Sequence, residues 1–434
     1  MKRMQGRTKN PGMLQEFRRA AAKLSTTEVN PVTLGPWFFG QTEVDWQAYE
    51  MADDLADRFA QTAAEYDRTG TFPFAHFEAM RERGYLALTV PREDGGLGAG
   101  VHAMVFAQER LARGDGSTAL AVGWHLYVVG KQAHSRTWPE PVRRRLFGEV
   151  VTDGALLNAC ASEPETGSPS RGGLPRTTAR RLPDGSWVLT GRKNFTTLSP
   201  ILRYFLVSAT LDGTEEAAWF LVPRDAPGLH VEETWDSLGM RATGSHDLRL
   251  EEVHLPADAL LESARERTEG RTEGWLLHVP AVYLGVAQAA RDFAVKYAVE
   301  RRTVNPPGHP EPTSRLADRP HVQRLIGEMD LALLPARHLL MGLARRWDER
   351  PEWRSRMVDA VAACKPFVVE TALRVVDQAM RVAGGASLAR SLPLERFYRD
   401  ARAGLHNPPM EDVVIGNLAR SAIRRAEAGE DAAR

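Results

Sequence analysis

The sequence predicts an α+β fold that is mostly α-helical and is divided into three parts. Helical patterns fill residues 43–155, short apolar and β-rich segments fill 156–265, and helical patterns return over 266–434. By themselves, these patterns indicate a mixed α and β protein with three parts. The 434 residues are enough for two or three domains with substantial cores. Residues 1–42 are expected to form an N-terminal arm.

The composition is that of a soluble globular protein, with 43% hydrophobic and 26% charged residues. The 56 basic and 56 acidic side chains balance, so nothing indicates a nucleic-acid or membrane-surface partner. Two cysteines, Cys160 and Cys364, lie far apart without a nearby Cys/His cluster. This argues against a disulfide framework and a structural zinc site, and it favours a cytoplasmic location.

In the N-terminal part, the pattern becomes helical at Glu43, and Thr42 or Asp45 could cap that helix. Apolar residues at Tyr49, Leu55, Phe59 and Ala63 can share one face of a single helix. Four further helices are predicted at Phe74–Gly84, Ala103–Arg113, Ser117–Gln132 and Pro139–Gly148.

The middle part contains turn signals between short apolar runs. Pro183-Asp184-Gly185 separates Thr177–Arg181 from Ser186–Thr190, and Asp212-Gly213 separates Tyr204–Leu211 from Ala217–Val222. Three more strands are predicted at Leu229–Glu233, Asp247–Leu250 and Val253–Pro256. The part is therefore expected to be a small β-domain.

The C-terminal part is predicted to be a bundle of four long helices joined by short connections. These helices begin near Trp275 and continue in Val322–Trp347, Arg356–Val382 and Asp412–Ala428. Pro366 lies inside the third and should kink it, because proline removes one backbone hydrogen bond.

The first candidate binding segment is Ala159–Ser168. It places Ser, Thr, Gly and acidic residues in one turn after an apolar run. Hydroxyl groups and a glycine there would suit phosphates or the polar edge of a heterocycle. Taken alone, such a stretch is more often a surface turn after a buried strand. It is followed by Trp187–Thr197, Trp235–Ser245 and Glu300–Thr303.

In this order and spacing, these four segments resemble the acyl-CoA dehydrogenase family of flavoproteins, and the resemblance covers about Trp46 to Arg420. It implies an N-terminal helical domain, a middle β-domain and a C-terminal four-helix bundle. It also implies FAD bound between the β-domain and the bundle, and assembly into a homodimer or homotetramer. The expected class is an FAD-dependent oxidoreductase acting on CH–CH groups.

The resemblance assigns flavin contacts to individual residues. Ser162 would bind the edge of the flavin ring, Gly167 and Ser168 the pyrophosphate, and Phe195 and Thr197 would lie beside the ring. Taken alone, Phe195 could be a core aromatic and Thr197 a strand surface residue. The remaining matches would reach the adenosine half of the flavin of a neighbouring subunit; they are Arg301, Thr303, Gly384 and Gly385.

The catalytic base departs from the family pattern. Most members place a glutamate at the position that is Pro408 here, and others use a position that falls near Trp275. The candidates that remain for proton transfer are His406, Glu411 and Asp412, although the two acids also suit the dipole at the start of a helix. The segment Gly274–His278 lacks the Asp and Arg with which many members contact CoA.

The default activity implied by the resemblance is α,β-dehydrogenation of an acyl-CoA or related thioester. The first alternative is a flavin-dependent monooxygenase or oxidase of the same fold, acting on a small non-CoA substrate with aromatic, sulfur or amine chemistry. The second is a flavin-binding protein without turnover. Candidate redox partners are an electron-transfer flavoprotein or a flavin reductase.

Overall fold

The computed structural model describes residues 39–166, 173–263 and 273–428. The predicted arm over 1–42 therefore lies outside the described residues except for its last four positions. The first part of the described chain is helical, and its helices are α1 Glu43–Phe59, α2 Ala63–Thr69, α3 Phe74–Glu82, α4 Val101–Gly114, α5 Gly116–Ser135 and α6 Glu140–Asp153.

Helix α1 begins with a capping box, and Thr42, one of the two predicted caps, is its N-cap residue. The Thr42 hydroxyl accepts a hydrogen bond from the Asp45 N–H at 3.1 Å, and the Asp45 carboxylate accepts one from the Thr42 N–H at 2.8 Å. The prediction that Ala63 continues this helix was wrong. The helix ends at Phe59, and Ala63 begins α2, because the Thr62 carbonyl accepts the first hydrogen bonds of a new helix.

The middle part is an eight-stranded sheet with the strand order β6-β7-β3-β2-β4-β5-β8, in which β1 also pairs with β4. Strands β1 and β2 run parallel to β4 and share one of its edges, whereas the other pairs are antiparallel. The strands are β1 Leu157–Cys160, β2 Thr178–Arg181, β3 Trp187–Thr196, β4 Tyr204–Leu211, β5 Ala217–Pro223, β6 Leu229–Glu232, β7 His246–Leu255 and β8 Leu260–Ser263.

The two strands predicted at 247–250 and 253–256 form the single strand β7. The polar pair Glu251-Glu252 between them forms a bulge rather than a turn, because the register with β3 shifts there and Glu252 has φ 47°. Strand β3 is also longer than predicted and extends to Thr196.

The C-terminal part is helical again, with a two-stranded ribbon after its first helix. Its elements are α7 His278–Glu300, β9 Arg302–Val304, β10 Thr313–Arg315, α8 Pro320–Glu349, α9 Arg354–Ala383, α10 Leu394–Ala403 and α11 Glu411–Glu427. Helix α10 was not among the four predicted helices. Helix α9 continues through Pro366, and α8 likewise contains Pro335.

One hydrophobic core joins the three parts. Helix α4 packs against both α1 and α7, and α9 packs against α7. Leu111 of α4, Leu250 of β7 and Val286 of α7 belong to the same buried cluster. This packing fixes the sheet against the bundle and so positions the two surfaces described next. Among the helices of the described residues, none is both long and apolar enough to cross a bilayer.

Candidate functional site

The turn after β1 is held to the sheet by a buried carboxylate. Glu163 is only 1% exposed and accepts hydrogen bonds from Lys193 Nζ and Thr177 Oγ1, both at 2.7 Å. It also accepts the backbone N–H groups of Arg176 at 2.6 Å and Thr177 at 3.0 Å. Together with a hydrogen bond from Thr166 Oγ1 at 3.0 Å, five hydrogen bonds to Glu163 fix the turn that carries Ser162.

The electrostatics of this turn follow from burial and charge pairing. Burial by itself would raise the pKa of Glu163, but the hydrogen bonds from Lys193 and Thr177 outweigh it and lower the pKa to about 2. Burial lowers the pKa of the fully buried Lys193, and Glu163 opposes that shift. Sequence reasoning missed this pair. The predicted strand ended at Thr190, so Lys193 lay outside it, and β3 in fact continues to Thr196.

Phe195 is presented at the surface by a distortion of β3. The pairing of β3 with β7 is irregular between Lys193 and Thr196, and Phe195 has φ 54°. A bulge of this kind redirects a side chain. The Phe195 ring is 62% exposed and packs edge-on against Trp235, with ring centroids 6.1 Å apart. Phe195 is therefore not a core aromatic, and its free face can cover a planar ligand.

Thr197 starts a chain of hydroxyl groups behind this ring. Its side chain is 7% exposed, so it is not a strand surface residue, and its Oγ1 lies 2.8 Å from Ser245 Oγ. Ser245 Oγ lies 2.8 Å from Thr243 Oγ1, which donates to the Met240 carbonyl at 3.0 Å. The half-buried Ser162 lies at the other side of β3, where its carbonyl accepts the Asn194 N–H at 3.0 Å.

These residues fit the edge and face of a flavin ring. Hydroxyl groups at Ser162 and Thr197 can bond the polar ring edge, and the exposed Phe195 can shield its face. The side-chain oxygen of Asn194 is buried here without a hydrogen-bond partner in the described part of the chain, which leaves a polar atom for a ligand. Gly167 and Ser168, predicted to hold the pyrophosphate, lie outside the described residues. We call the surface of Ser162, Asn194, Phe195 and Thr197 the sheet wall.

A second surface lies on the bundle, in the loop Gly404–Met410. The hydroxyl of Tyr283, a fully buried residue of α7, donates a hydrogen bond to Asn407 Oδ1 in this loop. Gly404 packs so closely that an added Cβ would lie 2.9 Å from Val369 Cγ1 and 3.2 Å from Tyr283 Cδ2. The close approach holds the loop against α7 and α9. We call the surface of Tyr283 and Gly404–Met410 the bundle wall.

Asp400 of α10 connects the two walls. Its Oδ1 accepts the Met240 N–H at 2.6 Å, and Met240 is also the end of the hydroxyl chain that begins at Thr197. Burial raises the pKa of Asp400 to about 7, against the opposing effects of Arg396 and the Met240 N–H. A buried carboxylate thus ties α10, which leads into the loop of the bundle wall, to the residue at which the hydroxyl chain ends.

The predicted proton-transfer residues differ from one another in setting. His406 is exposed within the loop, and Glu411 and Asp412 are exposed in the first turn of α11. Lys365, which sequence reasoning missed, is buried on α9 one turn before Val369. Burial lowers the pKa of Lys365 to about 8, and Glu411 opposes the shift. Trp275, at the alternative position for a base, is buried.

The four residues predicted to reach a neighbouring flavin lie at the surface of one chain. Arg301 is exposed directly after α7, and Thr303 is half-buried in β9. Gly384 and Gly385 are exposed at the end of α9, and Gly384 has φ 62°, which favours glycine. None of the four contributes to the sheet wall or the bundle wall.

Two surface cavities of about 370 and 430 Å³ lie elsewhere on the chain. The first is bordered by Arg136, Arg143 and Glu93, and the second by Phe74 and Arg203. Neither contains a predicted site residue.

The chain matches three family models over most of its length. They are the acyl-CoA dehydrogenase N-terminal domain over residues 42–140, the middle domain over 158–253 and the C-terminal domain over 277–407. The Bacillus subtilis protein named "Putative acyl-CoA dehydrogenase YdbM" is 47% identical over 89% of this chain and 99% of its own length.

Two further relatives carry other reactions in their names. L-evernosamine nitrososynthase of a Micromonospora strain is 34% identical over 84% of this chain and 86% of its own. TdsC of Paenibacillus sp. A11-2, a dibenzothiophene monooxygenase solved with FMN and indole, has a TM-score of 0.74 and 27% identity, covering 83% of this chain and 93% of its own. The predicted three-part α+β fold is confirmed, and the chain belongs to the acyl-CoA dehydrogenase family.

Proposed function

We propose that this protein is a flavin-dependent monooxygenase of the acyl-CoA dehydrogenase family, acting on a small non-CoA substrate. The observation that carries the proposal is the bundle wall. Dehydrogenation of a thioester needs a positioned carboxylate for the α-proton. The position that supplies it in most members is Pro408, flanked by the neutral Tyr283–Asn407 pair, and the other position is the buried Trp275.

The reaction class balances with molecular oxygen and a reduced flavin. One oxygen atom is added to the substrate and the other leaves as water, and a separate flavin reductase supplies the electrons. A bound flavin contributes the electron transfer to oxygen, which no side chain can supply. The side chains of this protein would bind the ring at the sheet wall, orient the substrate at the bundle wall and exclude water.

We propose FAD rather than FMN as the flavin. The sheet wall can hold the ring of either cofactor. Arg301, Thr303, Gly384 and Gly385 match family residues for the adenosine half, which FMN lacks, and an arginine fork suits a diphosphate. The test is a comparison of FAD and FMN titrations of the purified protein. Binding of FMN at least as tight as binding of FAD would contradict the choice.

His406 is the proposed proton-handling residue of the oxygenation. It lies in the loop of the bundle wall, next to Asn407 and close to Pro408, and a neutral imidazole carries one donor and one acceptor nitrogen. Glu411 and Asp412 follow at the start of α11, where a carboxylate also stabilises the helix dipole.

Dehydrogenation is the second candidate function, because the relative with 47% identity carries acyl-CoA dehydrogenase in its name. On this alternative, Glu411 would be the base. Its charge opposes the lowering of the pKa of the buried Lys365, so the two side chains influence each other electrostatically. An electron-transfer flavoprotein would then take the place of the reductase.

Three variants separate the two candidates: His406→Ala, Glu411→Gln and Asp412→Asn, with the exposed Glu427→Gln at the far end of α11 as control. FAD content is measured first, followed by reductase-dependent oxygen uptake and by anaerobic bleaching with acyl-CoA. Loss of oxygenation in His406→Ala alone, by about two to four orders of magnitude, supports the monooxygenase. Loss of bleaching in Glu411→Gln alone supports the dehydrogenase, and full activity in all three removes this assignment.

We also propose a homodimer or, as the preferred form, a homotetramer. Arg301, Thr303, Gly384 and Gly385 are placed at the surface of one chain, where a neighbouring subunit could bring its flavin to them. Light scattering of the FAD-loaded protein at micromolar concentration should give two or four times the 48.1 kDa chain mass. A monomeric mass with FAD bound would contradict it.

A further inference from the structure

The side-chain amide of Asn407 has a fixed orientation. The Tyr283 hydroxyl donates to Asn407 Oδ1, so the oxygen of the amide faces α7. Tyr283 is fully buried, and its ring lies against the backbone of Gly404, which leaves the hydroxyl little freedom to move. Burial raises the pKa of Tyr283, so the hydroxyl keeps its proton. In the structure this hydroxyl donates to the amide oxygen, so the amide nitrogen lies on the other side of the group.

The consequence is that Asn407 Nδ2 points away from α7. An amide nitrogen carries two N–H donors, and within the described part of the chain Nδ2 makes no hydrogen bond that competes for them. Asn407 is half-buried, so these donors are accessible from the side opposite Tyr283. Directly after it comes Pro408, at the position that holds a carboxylate in most relatives.

The helix that leads into the loop of Asn407 is tied to the segment behind the sheet wall. Asp400, seven residues earlier, binds the Met240 N–H, and Met240 leads through Thr243 and Ser245 to Thr197. Burial raises the pKa of Tyr283, and the charge of Asp400 raises it further. A substrate lying between the two walls would thus meet a neutral hydrogen-bond donor on the bundle side.

We propose that Asn407 binds an uncharged acceptor oxygen of the substrate through Nδ2, and that Tyr283 is the positioning residue that aims it. The substrate class is a small neutral molecule with a polarised oxygen, such as a sulfoxide, sulfone or carbonyl, beside the atom that is oxidised. A neutral amide suits such an oxygen, because neither partner brings a charge that burial would penalise. This inference rests on the proposed function and specifies the substrate of that same site.

The test uses two probes of nearly equal shape, methyl phenyl sulfoxide and thioanisole, of which only the first has the acceptor oxygen. The full-length protein is loaded with oxidised FAD, and the change in flavin absorption gives a dissociation constant for each probe without turnover. We expect the wild-type protein to prefer the sulfoxide by about 3- to 10-fold, the range of one hydrogen bond.

The matched variant is Asn407→Asp. It keeps an oxygen to accept from Tyr283 but replaces the outward donors by a carboxylate oxygen, so the preference for the sulfoxide should vanish or reverse. Tyr283→Phe should reduce the preference because the amide can then turn. Asn417→Asp, an exposed position on α11, makes the same chemical change at a distance and should leave the preference intact.

Equal wild-type affinity for the two probes, no binding of the sulfoxide at millimolar concentration, or an unchanged preference in Asn407→Asp would each overturn the inference. These results are distinguishable from failure of the proposed function. The probe titration uses only oxidised flavin, whereas the proposed function fails if reductase-dependent oxygen uptake is absent and acyl-CoA bleaches the flavin.

Discussion

The sheet wall and the bundle wall are built by opposite means. Behind the sheet wall, the Glu163–Lys193 ion pair is buried, and both residues lie in the part of the chain that matches the middle-domain model of the family. The bundle wall uses neutral groups, Tyr283 and Asn407, and has proline at the position of the family's base. The residues predicted to bind the cofactor match the family resemblance, whereas the residue predicted at the position of the base does not.

We infer from this difference that family membership and the reaction depend on different residues. A fold and its cofactor site can be retained while a few side chains on the opposite surface change the chemistry. The two walls should also differ in the free energy of unfolding that is lost when their interactions are broken. A buried ion pair is costly to break, because the remaining charge is left without a partner, whereas loss of a neutral hydrogen bond costs much less.

The largest expected effect is at the buried ion pair. Lys193→Met leaves the Glu163 carboxylate buried without its cation and should lower the free energy of unfolding by about 3–5 kcal/mol. Arg324→Met breaks an exposed pair with Glu328 on α8 and should cost about 1 kcal/mol or less. Urea unfolding of both variants measures the contrast. A loss below about 1 kcal/mol in Lys193→Met would show that the sheet wall does not depend on this pair.

The junction between the walls should respond to pH. The pKa of Asp400 is raised to about 7 in the folded state, so its contribution to stability is present below its ordinary pKa and is lost as pH rises through 7. Asp400→Asn lacks this titration. Between about pH 4 and pH 8 the wild-type protein should therefore lose stability relative to the variant, by roughly 4 kcal/mol at most. A constant difference across that range, measured by denaturant unfolding, would contradict the raised pKa.

A smaller effect is expected on the ligand side of the sheet wall. Phe195→Ala removes an exposed ring, so stability should change little, whereas FAD binding should weaken by about 5- to 20-fold through lost ring contact. Phe74→Ala removes a comparably exposed ring from α3 and should leave FAD binding unchanged. Equal FAD affinities of the two variants would remove Phe195 from the flavin site.

The smallest effect should come from the bundle wall. Tyr283→Phe removes one neutral hydrogen bond and should lower the free energy of unfolding by about 0.5–1.5 kcal/mol, well below the loss in Lys193→Met. The two variants compared in one urea series test whether the walls differ as described. A larger loss in Tyr283→Phe than in Lys193→Met would reverse the comparison.

The features that depend on neighbouring residues could be predicted from the sequence alone. The order of helices, sheet and helices follows from local periodicity, and the Thr42 cap and the turn at Gly185, with φ 89°, follow from short-range hydrogen bonding and steric limits. The motif segments also lie within single stretches of chain, so the family could be identified from their order and spacing. Local patterns failed where polarity was ambiguous, as at Glu251-Glu252, which could be a turn or a bulge.

Contacts between side chains that are distant in the sequence were visible only in the tertiary structure. Tyr283 and Asn407 are separated by 124 positions, and Met240 and Asp400 by 160. Neither pair leaves a periodic signal in the sequence, because the contact depends on how α7, α10 and the sheet pack rather than on local propensity. The burial of Lys193 and Lys365 was hidden for the same reason. A lysine is ordinarily assigned to the surface, and only the packing around it shows that its charge has been removed from water.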